Sequence, residues 1–246
     1  MPFTPAHPAI IIPLIKSKRF SATALIAGSM VPDFEFFFQM REVKNVGHHW
    51  YGILLFDLPF ATLLCFLFHN VMRNLIITQL PAALQNRFLF ATSFNWNQYA
   101  VKNKAIVFCS LLTGIISHLF WDGFTHHDGF FVELLPALAA ATWLQAYQIP
   151  LYFLLQIVFS FIGLLVVCYC VYKLPTHTTV NFTRQRKHYW SLFFLLMGLT
   201  FTVRVILWPQ YNSFWSLFIA VIGSICYSWI AISVVFNFSN LKRILI

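Results

Sequence analysis

The sequence has very little charge, and negative charge least of all. Of 246 residues 9% are charged, and only seven are Asp or Glu. A soluble domain carries about 25% charged residues, so an ordinary water-facing surface is excluded. No carboxylate side chain occurs after Glu133; all seven lie between Asp33 and Glu133. Acid–base or metal chemistry that needs a carboxylate is therefore confined to the first part of the chain. Cysteine is sparse as well. Cys65, Cys109, Cys168, Cys170 and Cys226 all sit inside apolar runs, and none forms a Cys-x-x-Cys pair. They read as small buried hydrophobes, not as a disulfide frame or a thiolate zinc site. The chain has no G-x-S-x-G, P-loop, H-E-x-x-H or dinucleotide fingerprint, and nothing points to a redox cofactor. A signal peptide has its charge first, whereas the apolar stretch Ala9–Ile15 precedes Lys16, Lys18 and Arg19. The mature chain is expected to keep Met1 or Pro2.

What is abundant is apolar: 59% of residues are hydrophobic, 29 of them Phe. Five runs approach the length needed to cross about 30 Å of hydrocarbon: Trp50–Leu67, Ala105–Trp121, Ile149–Tyr172, Tyr189–Trp208 and Phe214–Phe236. Ser21–Phe38 is a weaker sixth, interrupted by Pro32, Asp33 and Glu35. His7–Ile15 is too short to cross and reads as a half-helix or interfacial segment. The expected fold is all-α, a polytopic helical membrane protein of five to six transmembrane helices with an N-terminal half-helix. Residues 1–148 form its His/Asp-rich part and residues 149–246 a three-helix part, both expected within one structural unit.

The net charge of +9 comes from 16 Lys and Arg. Most lie in loops between apolar runs, the pattern of cytoplasmic loops facing anionic lipid rather than of a nucleic-acid surface. Loop 70–104 has Arg73, Arg87, Lys102 and Lys104, whereas Asp122 to Gln148 has no cation. The next loop has Lys173, Arg184, Arg186 and Lys187; Pro209–Ser213 has none; the tail has Lys242 and Arg243. The cation-free loops should lie outside, which is periplasmic for a bacterial inner membrane. Arg41 and Lys44 run against this alternation. His48, His49, Asp122, His126 and His127 then gather at the outer face, and Asp33 and Glu35 approach it if Ser21–Phe38 crosses. His7 stays inside unless the N-terminal segment folds back.

The segment Ser117-His118-Leu119-Phe120-Trp121-Asp122-Gly123-Phe124-Thr125-His126-His127-Asp128 carries the strongest chemical signal. Residues four apart share a helix face, so His118 and Asp122 can both bind one divalent ion. Ionisable groups beside an apolar run are costly to desolvate and usually functional; the alternative is a polar cluster at the headgroup level. Gly123 can end the helix, which leaves His126 a less certain third member. In Pro32-Asp33-Phe34-Glu35 the helix break turns a carboxylate off the regular backbone, as a ligand or as a solvated helix end. Glu35, two residues on, need not share that direction. One of His48 and His49 can be a ligand, while Trp50 and Tyr51 suit the membrane–water boundary. Asp57, inside an apolar run, either orients a metal-bound histidine or satisfies backbone freed by Pro59. His7 is a weak candidate by itself. His69, His177 and His188 lie beside inner loops, and Arg204 must snorkel or pair between helices.

Four blocks resemble a bacterial membrane family catalogued as domain of unknown function 4184. They are Met1-Pro2-Phe3-Thr4-Pro5-Ala6-His7-Pro8-Ala9, Gly28-Ser29-Met30-Val31-Pro32-Asp33-Phe34-Glu35, Gly52-Ile53-Leu54-Leu55-Phe56-Asp57-Leu58-Pro59 and Ser117 to His126. More distantly, the order His, Pro-Asp, His and His-x-x-x-Asp is similar to inner-membrane metal-dependent hydrolases related to zinc phospholipase C. That likeness implies His7, Asp33, His48 or His49, His118 and Asp122 as metal ligands. Those hydrolases usually carry a Thr/Ser-His-Ser element where this chain has His48-His49-Trp50-Tyr51.

The expected function is metal-dependent hydrolysis of a lipid or lipid-linked phosphoester at the outer face. Zinc is the expected ion, with Asp57, Glu35 or His126 supporting ligands or acting as the base. The competing expectation is a non-enzymatic metal-binding or transport-related membrane protein.

Overall fold

The computed structural model describes residues 3–42, 46–140, 149–177, 183–209 and 214–245, apart from the side chains of 183–186 and 238–245. Lys44, the end of the cation-free loop (141–148) and residues 210–213 lie outside the described residues. Among the described residues there is no strand. Among the described residues five helices are long and apolar enough to cross a membrane: Ile53–Gln79, Lys104–Asp122, Leu151–Tyr172, Lys187–Leu207 and Phe214–Asn237. This is a multi-pass helical membrane protein. On the spans, Phe161, Leu195 and Ile206 are largely exposed, as lipid-facing side chains must be.

Two expectations change. Ser21–Phe38 is not among these five candidate spans. It is a helix Ala22–Met30, a 3-10 turn Val31–Asp33 and a short helix Phe34–Gln39; Pro32 has no N–H to continue the ladder, and the α-helix gives way to a 3-10 turn there. The first span does not end near Leu67 but continues to Gln79 through π turns at Ile53–Asp57 and Phe68–Met72. Its polar second half is satisfied from within the protein. Arg73 donates to the carbonyls of Phe94 (2.6 Å) and Thr92 (3.1 Å) and lies 2.8 Å from His69 Nδ1. The His69 ring stacks on Trp96 at 4.8 Å.

The chain folds as two compact units. One comprises Met1–Asp33, Val46–Thr62 and Ala100–Lys173; the other comprises Phe34–Asn45, Leu63–Tyr99 and Leu174–Ile246. In the second, Tyr189, Phe193 and Ile232 form a buried core with Leu75, Trp190 and Trp229 against it. The Trp190 indole N–H donates to the Gln79 carbonyl at 2.9 Å.

The first unit is built on the close approach of helices Ala22–Met30 and Lys104–Asp122. Ser21 caps the former, its hydroxyl accepting from the Ala24 N–H, and its own N–H donates to Ser110 Oγ at 2.8 Å. Glycines permit the approach: a Cβ on Gly28 would stand 2.3 Å from the Leu111 carbonyl oxygen, and one on Gly114 2.4 Å from that of Leu25. Small residues are the usual means by which helices meet in membranes, where lipid removes the hydrophobic drive for association. The N-terminal segment returns to this pair. The Phe3 N–H donates to Ser160 Oγ at 2.8 Å, and Gly163 leaves room for Ala6.

Candidate metal centre

The helix packing of the first unit brings three separated sequence blocks together. Asp33 stands at the end of the 3-10 turn that follows Ala22–Met30, fully buried. His118 and Asp122 lie one turn apart on Lys104–Asp122 and are also buried. His48, half-buried, comes from the turn before the first span. His118 Nε2 is 3.2 Å from Asp122 Oδ2 and 3.6 Å from Asp33 Oδ1. His48 Nε2 is 3.2 Å and 3.6 Å from the same two oxygens. One donor atom from each of these four residues lies within 4.8 Å of every other. Two donors on one tetrahedral ion at 2.0–2.1 Å stand about 3.4 Å apart, so the spacings suit a shared cation.

The surroundings fix how these groups point. His118 Nδ1–H donates to the Ser29 carbonyl oxygen at 2.8 Å, which turns Nε2 toward the carboxylates. Thr4 Oγ1–H donates to Asp33 Oδ2 at 2.5 Å, leaving Oδ1 for the cluster. Burial works against charge on Asp33, but the His118 and His48 imidazoles hold it below the usual carboxylate range. His118 Nε2, Asp33 Oδ1 and Asp122 Oδ1 make no hydrogen bond although buried. Buried polar atoms are seldom left so, and a cation between them would satisfy His118 Nε2 and Asp33 Oδ1 together. The donor set of imidazole nitrogen and carboxylate oxygen fits zinc and its first-row neighbours.

His7 joins this cluster from the N-terminal segment, which does fold back. Its ring stacks on His118 with centroids 3.8 Å apart, and its Nε2 is 3.4 Å from Asp122 Oδ1. It thus meets the other carboxylate oxygen, outside the four-donor group. Burial, with His118 beside it, pushes its pKa down to about 3, so the ring is neutral. His126 sits at the rim. Its Nδ1–H donates to the Asp122 backbone carbonyl at 3.1 Å, Nδ1 is 3.7 Å from Asp122 Oδ2, and its buried Nε2 makes no hydrogen bond. Burial lowers its pKa.

The remaining sequence candidates lie elsewhere. His49 is exposed and stacks on Tyr51 at 5.2 Å. Glu35 accepts from the Gln39 amide at 3.3 Å and belongs to the second unit. Asp57 is fully buried beneath the turn that carries His48: a Cβ on Gly47 would stand 2.8 Å from its Oδ1. It lies close to that turn and is not one of the four donors. Sequence reasoning missed Thr4 and the Ser29 carbonyl. Thr4 lies three residues from His7, whereas a backbone acceptor leaves no trace in residue type.

A family-wide sequence model described as "Domain of unknown function (DUF4184)" matches residues 1–235. The chain belongs to the DUF4184 family. No curated protein and no solved structure matches it. The match spans all the residues of the cluster, and it says nothing about hydrolysis.

Proposed function

We propose that this DUF4184 protein is a metal-dependent membrane hydrolase acting on a lipid or lipid-linked phosphoester. One observation carries the metal: two imidazole nitrogens surround the same pair of carboxylate oxygens. An imidazole N–H can point at one oxygen only, so protons alone serve this arrangement poorly. Asp33, His48, His118 and Asp122 would hold the ion, zinc by the donor set, with His7 bracing Asp122 from its other oxygen. A divalent ion so placed supplies Lewis acidity toward a phosphoryl oxygen and lowers the pKa of bound water.

The residues around it supply the rest. His126 is held by its Nδ1–H, and burial disfavours its charged form, which leaves Nε2 to accept a proton, the disposition of a general base. The lipid substrate is supported by the neighbourhood of His48, where Trp50, Leu54 and Leu55 are largely exposed. These surfaces suit acyl chains, with the phosphoester at the half-buried edge of the site. The cation-free stretch beginning at Asp122 supports a periplasmic face of a bacterial inner membrane.

A second reading, a metal-holding protein without catalysis, rests on the donor count. Four protein donors can close a site, whereas catalytic zinc sites keep a position open. Elemental analysis of the detergent-purified protein tests both. About one metal per chain is expected in the wild type and little in His118→Ala; a metal-free wild type, never exposed to chelator, defeats both readings. Phospholipid or phosphodiester turnover that is lost in Asp122→Asn favours the enzyme. Bound metal with no turnover on any such substrate favours the holder.

A further inference from the structure

We infer that the second unit carries an anionic-phospholipid site, formed by Arg41, Arg204 and Trp208. A cavity of about 550 Å³ is lined there by Phe38, Met40, Arg41, Val203, Arg204 and Trp208, among others. That volume falls in the range of roughly 300–1,000 Å³ usual for small-molecule sites. Arg204 is 4% exposed although it lies within the apolar span Lys187–Leu207, where a cation needs a reason. Its Nε donates to the Met40 carbonyl at 2.6 Å and its Nη1 to the Trp208 carbonyl. Among the described residues its Nη2 has no hydrogen-bond partner, and neither it nor Arg41 pairs with a carboxylate. Both guanidinium carbons lie 5.9 Å from the centroid of the Trp208 ring.

The wall opposite is firmly held. Met40 has φ 52°, a left-handed conformation that non-glycine residues seldom adopt, and its carbonyl meets Arg204. The Tyr227 hydroxyl donates to the Phe38 carbonyl at 2.7 Å. The result is two guanidinium groups that pair with no carboxylate among the described residues, beside an aromatic ring, at the end of a span, over apolar side chains of Leu199, Val203 and Leu207. Guanidinium pairs bind phosphate through charge-assisted hydrogen bonds, tryptophan marks the headgroup level, and the apolar wall suits an acyl chain. A lipid phosphate matches all three, which free phosphate does not.

The test uses the full-length protein in a neutral detergent, titrated with phosphatidylglycerol, phosphatidylcholine or inorganic phosphate, with binding read by native mass spectrometry and thermal melting. Phosphatidylglycerol should bind at least about tenfold more tightly than phosphatidylcholine and raise the melting temperature, and Arg41→Gln should lose about tenfold of that preference. Lys173→Gln, which removes a cation far along the chain, should keep it. Arg41 is exposed, so its variant should melt like the wild type without lipid, whereas Arg204→Gln risks misfolding. Equal binding of the two lipids, or an undiminished preference in Arg41→Gln, overturns the site. Full stabilisation by inorganic phosphate alone overturns the lipid as occupant.

Discussion

His118 Nδ1–H is held by the Ser29 carbonyl oxygen at 2.8 Å, and this single bond decides which nitrogen faces Asp33 and Asp122. The second partner of a ligating histidine sets its tautomer and aim. Here that partner is backbone, at the end of the helix that also delivers Asp33. One helix therefore orients a candidate ligand on another, and the turn after it presents a second, Asp33. Replacing His118 by Ala should remove bound metal, and His48→Ala should do the same. His49→Ala should retain the wild-type content, because His49 is exposed and stacked on Tyr51. Metal-to-protein ratios of the three purified variants check this; loss in His49→Ala and retention in His48→Ala would reverse the assignment.

Asp33 meets His118 and Asp122 where two helices approach at Gly28 and Gly114. A methyl group at Gly114 would stand 2.4 Å from the Leu25 carbonyl oxygen and 2.7 Å from the Ser29 nitrogen, both backbone atoms that cannot swing aside. Gly114→Ala should destabilise by about 1–3 kcal/mol, the usual cost of overpacking, and lower the metal content as Asp33 and His118 move apart. Gly198→Ala is the control, since a Cβ there meets nothing within 4 Å. Thermal melting of both in detergent, with metal content alongside, separates packing from chemistry. Equal melting of the two would show that the helix contact does not depend on glycine.

Much of this was legible in residue spacing. Apolar runs gave the five spans because crossing length is set by the bilayer, and the four-residue spacing of His118 and Asp122 set them on one helix face. Asp33 stood out because it follows Pro32 and interrupts an apolar run. What spacing could not show was closure in three dimensions. Nothing local says that Thr4 and His7 return to Asp33 and Asp122, because that depends on Phe3 meeting Ser160 and on Gly163 leaving room for Ala6. The length of the first span was misjudged for a related reason. His69 and Arg73 look like loop residues until Phe94 and Trp96 are seen to satisfy them.

Thr4 offers a test of the N-terminal closure. Its hydroxyl donates to Asp33 Oδ2, so Thr4→Val keeps the shape and removes the bond. Asp33 then has less reason to present Oδ1 to the cluster. Metal affinity should fall by about ten- to a hundredfold, the usual effect of losing a partner of a metal-binding group, while Thr4→Ser should stay near wild type. Competition with a chelator of graded strength gives the affinities. An unchanged Thr4→Val would detach the N-terminal turn from the function of the site.

His126 separates holding a metal from using it. Its Nδ1–H is engaged by the Asp122 backbone carbonyl and its Nε2 is buried and unbonded, while the four candidate donors come together without it. His126→Gln should therefore keep the wild-type metal content. If the protein is a hydrolase with His126 as its base, turnover of a phospholipid or phosphodiester should fall by about 10²–10⁴-fold, the range for removing a positioned acid or base. The acidic limb of the pH–rate profile should flatten as well, because the group that must be unprotonated is gone. Equal loss of metal and turnover would instead make His126 part of the holding cluster. Unchanged turnover would pass the role of base to another group, with His7, already neutral and 3.4 Å from Asp122, the next to replace.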